Sequence, residues 1–185
     1  MPSKQIQNLN LWIYVPLWLF FAYLYWNILG FTAYGNTNIF LGGLYFIQFG
    51  VHEASHIVFV FLPPILTASA GSLGEIAFTS LIVYASYRAK SYFAMTFGLI
   101  WLMLAMTSAG NYMADARTQA MPLVGPSENP QHDWHFVFSQ LGWLNNDIFI
   151  GGMVKIIGDV LGAVGLILRL IIIINELVRR AYNRS

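Results

Sequence analysis

Between Lys4 and Glu53 this chain carries no Asp, Glu, Lys or Arg, and between Lys90 and Asp115 it carries none again. A soluble domain spends about 25% of its residues on charge. Here 57% of the 185 residues are hydrophobic and only 9% are charged. So much apolar surface is stable only against hydrocarbon, where a helix satisfies its own backbone hydrogen bonds. The fold class expected is therefore all-α: a polytopic integral membrane protein, forming one transmembrane domain over residues 1–185. The lipid bilayer is its first partner, and a multi-pass place in a cell membrane, the inner membrane of a bacterium, is the expected location. The net charge of +1 makes nucleic acid an unfavoured partner. With no cysteine, any metal must be held by nitrogen and oxygen.

The apolar runs read as about five transmembrane helices of roughly 20 residues each. They cover about 11–33, 39–62, 72–88, 92–114 and 148–178. MPSKQIQNLNL at the start has no signal-peptide cleavage site, so the first span is expected to be retained. Pro63-Pro64 is expected to end the second span. The small residues that follow, through Gly71, read as a re-entrant loop buried in protein. The segment from Asp115 to His135 is polar and holds three prolines, so it reads as a loop. HFVFSQLGWL after it reads as a short interfacial helix.

Inside the second apolar run stands His52-Glu53-Ala54-Ser55-His56, an HExxH pattern. Residues four apart share one helix face, so both imidazoles can hold one zinc ion. A glutamate beside the first ligand can take a proton from water that the metal acidifies. Ionisable groups inside a membrane are costly and mark function by default. The competing reading is a polar cluster between helices without metal. All four histidines fall in two close pairs, His52/His56 and His132/His135.

Catalytic zinc takes three protein ligands and leaves one position open. Asp115 is the leading third ligand, because spans two and four finish on the same membrane side. The other reading pairs it with Arg117. In QHDWH, residues 131–135, His132 is a candidate ligand, a partner of a ligand or a proton shuttle. Asp133 is a candidate for orienting a histidine through its free ring nitrogen. The competing reading is an interfacial segment anchored by Trp134.

HExxH in an apolar helix resembles the site-2 protease family of intramembrane zinc metalloproteases. That family follows HExxH with a G-P-x-x-N element, and Gly71-Ser72-Leu73-Gly74-Glu75 occupies its place here. Its later helix carries Asn, then Pro, then Asp-Gly. Asn111 followed by Asp115-Ala116 matches in part. Ser72 stands for Pro, Glu75 for Asn and Ala116 for Gly. HEASH, AGS, ADARxxxxPLVG and HDW together are similar to a group of small bacterial membrane proteins of that type. The resemblance covers about residues 45–145.

It implies Glu53 as general base, zinc on His52, His56 and Asp115, and Glu75 where the family's oxyanion-stabilising Asn stands. The activity it implies is cleavage of a membrane protein or peptide in or near the bilayer. A zinc hydrolase of lipid amides and a non-catalytic metal-binding or transport protein are the alternatives. Charge predicts orientation. Lys4 and Arg117 fall on one side of five spans, and Arg88, Lys90, Arg179, Arg180 and Arg184 on the other. The positive-inside bias then puts the C-terminus in the cytosol and the metal nearer the outer face. The resemblance implies the reverse.

Overall fold

The structure, a computed structural model, describes residues 11–31, 38–123 and 131–183. Its elements are α1 (Leu11–Leu29), α2 (Ile39–Val58), α3 (Pro64–Arg88), α4 (Tyr92–Ala114), α5 (Asp133–Leu141), a 3-10 turn (Leu144–Asn146) and α6 (Asp147–Tyr182). All the regular structure among the described residues is helical.

Local chemistry sets the boundaries. Asn38 begins α2 by accepting the amides of Phe40 and Leu41 on its side-chain oxygen, 3.1 Å each. Pro64 takes the first helical position of α3, where a missing N–H costs nothing. Residues 64–71 are thus the opening turns of α3 and not a re-entrant loop. The Leu and Ala of this stretch favour a helix. Its hydroxyls bond inward, Ser69 to the Leu66 carbonyl at 3.1 Å and Thr67 to the carbonyls of Phe59 and Leu62.

Three segments are long and apolar enough to cross a membrane: α3, α4 and Leu144–Tyr182. Five successive crossings do not fit the observed directions. Phe21 packs on Phe93 and Phe97, and Asn111 donates to the Phe31 carbonyl, so α1 runs parallel to α4. Phe40 meets Phe97 and His52 meets Tyr112, so α2 also runs parallel to α4. Consecutive helices with short connections alternate in direction when each crosses the bilayer; α1 and α2 do not alternate. α3 and α6 run the opposite way. Phe78 lies against Trp101 while Gly98 faces Val83, and Gly151 faces Gly110 while Gly165 faces Leu99.

Helix α4 is the axis of the bundle, with a nearly continuous buried stretch from Gly98 to Thr107. Its closest partner is α6. Gly151, Gly158, Gly162 and Gly165 form one ridge against α4. A Cβ on Gly110 would lie 2.5 Å from the Gly151 carbonyl, and one on Gly158 would lie 2.9 Å from Met106 Cβ. In lipid, small residues at such seams supply the close packing that holds helices together. The 36 residues of α6 extend about 54 Å. That exceeds a hydrocarbon layer of about 30 Å. Its far end carries Glu176, paired with Arg179 at 3.0 Å and Arg180 at 2.7 Å.

Candidate metal centre

The two motif histidines lie one turn apart on the face of α2 that meets α3, with ring centroids 4.8 Å apart. Each has its Nδ1 occupied from behind. His52 Nδ1 lies 2.7 Å from Glu75 Oε1, and His56 Nδ1 lies 2.8 Å from the Thr67 carbonyl. A carbonyl only accepts, so His56 donates from Nδ1. His52 has a carboxylate at each ring nitrogen and can donate toward either. Both Nε2 atoms point forward.

What they face is Asp133. Its Oδ2 lies 3.2 Å from His52 Nε2 and 3.3 Å from His56 Nε2. In their neutral tautomers the two rings and the carboxylate make three acceptors, which either a proton on one ring or a bound cation can join. The three ligand atoms lie within 4.8 Å of one another. Tetrahedral zinc with bonds of about 2.0–2.1 Å needs ligand atoms roughly 3.3 Å apart, which the two carboxylate-to-imidazole distances meet. Two imidazoles and a carboxylate are also a donor set zinc accepts in hydrolases. The residues fit the ion.

This arrangement redistributes the roles expected from sequence. His52 and His56 are brought together as the spacing requires. Asp133, and not Asp115, completes the group. Asp115 instead folds the chain after α4. It accepts from the Thr118 hydroxyl at 2.5 Å and from the amides of Ala120 and Met121 at 3.0 and 2.9 Å. Burial pushes the Asp115 carboxyl up, but these donors together outweigh it and hold it below the usual range. Glu75 does not face the open side of the centre, where an oxyanion would form. It stands behind His52, in the position of a carboxylate that fixes a ligand's tautomer and raises its basicity. Asp133 and Glu75 have in effect exchanged places.

His132 lies outside the group of His52, His56 and Asp133. Its Nδ1 accepts the His135 amide at 3.2 Å and so caps α5. Its ring stacks on Tyr112 with centroids 4.2 Å apart, and its Nε2 is 3.5 Å from Asp115. Burial lowers its basicity, with Asp115 pulling the other way. His135 donates from Nδ1 to the Ala116 carbonyl at 2.8 Å. Trp134 donates to Ser72 at 3.0 Å, and the Asp133 amide donates to the Tyr112 hydroxyl at 3.1 Å. QHDWH is thus a clasp that pins α5 to α3 and α4 and delivers Asp133. Trp134 is buried at 6% exposure, so it is no interfacial anchor.

Two glycines of α3 make room. A Cβ on Gly71 would lie 2.6 Å from both Cδ2 and Cε1 of His52, and one on Gly74 would overlap Ser55. The Ser55 hydroxyl bonds back to the Val51 carbonyl at 2.7 Å. Glu53 is partly exposed and makes no hydrogen bond to the described residues. The centre stays open, with side-chain exposures of 23% for His56 and 19% for Asp133.

Sequence reasoning missed Tyr112, Thr67 and the meeting of Asp133 with both motif histidines. Asp133 had one available signal: it is an acidic residue flanked by histidines on the correct side of the bundle. No protein-family model, no curated protein and no solved structure matches this chain, so its likeness to the site-2 proteases rests on the motif residues alone.

Proposed function

We propose that this chain is a zinc-dependent membrane hydrolase that cuts peptide bonds in or beside the bilayer. His52, His56 and Asp133 hold the metal, and Glu53 is the general base. The observation that supports this best is the meeting of two back-pinned imidazoles with one carboxylate, whose Oδ2 lies 3.2 and 3.3 Å from their Nε2 atoms. When bound, zinc polarises carbonyl oxygen and makes water acidic near neutral pH.

The protein's own residues do the rest. Glu75 and the Thr67 carbonyl hold the rings in the ligating tautomer. Glu53, next to the first ligand in sequence, takes a proton from water and passes it to a leaving amine in this reading. A metal carrier has no use for such a base. The exposed apolar residues Ile57, Val58, Val60 and Phe61 follow His56 in the chain, which supports approach of a substrate from the lipid side.

The same reading places α1 and α2 in the bilayer beside the three long apolar segments. It puts the C-terminal end in the cytosol. Arg88, Lys90, Arg179 and Arg180 gather at that end of the bundle, and Arg117 is at the other.

The test is metal content followed by turnover. Purified wild-type protein should carry one zinc per chain, and His52→Ala and Asp133→Ala should lose it. Glu53→Gln should keep the zinc and lose cleavage of membrane-embedded peptides. Zinc-free wild-type protein that takes up none would end the metal reading. Full cleavage by Glu53→Gln would end the hydrolase reading, and cleavage of lipid amides alone would redirect it.

A further inference from the structure

Asp133 has a third hydrogen-bond partner beside the two histidines. Its amide donates to the Tyr112 hydroxyl at 3.1 Å. The same hydroxyl lies 3.4 Å from Asp133 Oδ2, the oxygen that meets His52 and His56. Among the described residues the phenol bonds to Asp133 alone. The Asp133 side chain, apart from the two imidazoles, bonds to the phenol alone.

The two contacts bracket one residue from both ends. A hydroxyl accepts and donates at once. By accepting the Asp133 amide it satisfies one of the N–H groups that the first turn of α5 leaves without a helical partner. By donating to Oδ2 it sets which way the carboxylate turns. That contact is longer than the ~2.7–2.8 Å of a strong O–H···O bond, which leaves Oδ2 able to serve the histidine side as well. The phenol is itself held. It stands on α4, the axis of the bundle, with its ring stacked on His132 at 4.2 Å between centroids and 6.0 Å from the ring of His52. Asp133 instead opens α5, a helix of 9 residues. The longer, deeply packed helix thus supplies the reference for the shorter one.

We propose that Tyr112 is the positioning residue of this centre: its hydroxyl turns the Asp133 carboxylate toward His52 and His56. The consequence for metal rests on the zinc reading above; the geometry does not. Imidazoles that ligate through Nε2 no longer donate to Asp133, and the phenol is then the donor that orients it. Ligating carboxylates are held by such hydrogen bonds, and removing one weakens the site. The competing role for Tyr112 is to dock α5 on α4 through its ring alone.

The experiment uses full-length protein in detergent micelles. Tyr112→Phe keeps the ring and removes the hydroxyl. Zinc affinity, read by titration calorimetry, should fall by about 10–100-fold. The visible spectrum of the cobalt-loaded variant should differ from that of the wild type, because the carboxylate ligand is less well placed. Replacing Tyr112 by para-aminophenylalanine returns a donor to the same ring and should restore most of the affinity. A second readout needs no metal. In chelator-treated protein, Tyr112→Phe should shift the carboxyl carbon resonance of Asp133 and speed hydrogen exchange at its amide. Wild-type zinc affinity in Tyr112→Phe, or an equal loss with para-aminophenylalanine, would overturn the proposal. If the wild type binds neither zinc nor cobalt, the zinc reading fails by itself and the Asp133 resonance decides. A shift upholds the positioning role, and an unmoved resonance overturns it.

Discussion

Gly71→Ala separates the packing of the metal centre from the stability of its helix, because the two should move in opposite directions. Gly71 is buried inside α3, and the three atoms nearest an added Cβ all belong to the His52 ring, Nε2 first. In a helix interior Ala is favoured over Gly by about 1 kcal/mol. The added methyl would lie 2.6 Å from two ring carbons of His52. Ordinary carbon contacts are about 3.5–4.0 Å, so the ring must retreat by about 1 Å. Metal sites tolerate ligand displacements of roughly 0.2 Å. The ring also cannot swing freely, since its Nδ1 is held by Glu75 at 2.7 Å.

Zinc affinity should fall by about 10–100-fold, comparable to losing a group that orients a ligand. That is about 1.4–2.7 kcal/mol of binding. The assay is competition for zinc against a chromophoric chelator in detergent micelles, beside thermal unfolding in chelator. The control is Gly42→Ala or Gly43→Ala on α2, where an added Cβ meets nothing within 4 Å. Those variants should gain helix stability and bind zinc as wild type does. A folded Gly71→Ala protein with unchanged zinc affinity would refute the placement of His52 against α3.

Asp133→Asn should reduce zinc content at equal protein, whereas Asp115→Asn should leave it intact; elemental analysis of both distinguishes the two candidate third ligands. Asp115 has a folded-state pKa below its unfolded value. Its contribution is therefore present above the unfolded pKa of about 3.9 and lost as pH falls through the folded one. Hydrogen exchange at the amides of Ala120 and Met121 should accelerate only in that acid range, and Asp115→Asn should make it fast at neutral pH too. Reporter fusions after Tyr182 should be active in the cytosol, and activity only outside the cell would reverse the assigned orientation.

Much of this protein is local, and local features can be read from residues alone. Uncharged runs dictate apolar helices, and Asn38 starts α2 by its own side chain. The four-residue spacing of His52 and His56 puts both rings on one face in any helix. Pro64 misleads because the same ring that ends one helix suits the first position of the next, and only packing of the following turns decides which effect wins. The third ligand is another matter. Asp115 and Asp133 are both acidic residues near the same end of the bundle, and 81 residues separate His52 from Asp133. Which one meets the histidines depends on where α5 docks. That is settled by His132 at its cap, Trp134 on Ser72 and His135 on Ala116, contacts between segments distant in sequence. The direction of α1 and the position of Glu75 behind His52 have the same origin. Each is chosen by which helix face finds a complementary surface, such as the glycines of α3 and α6, and no single helix contains that information.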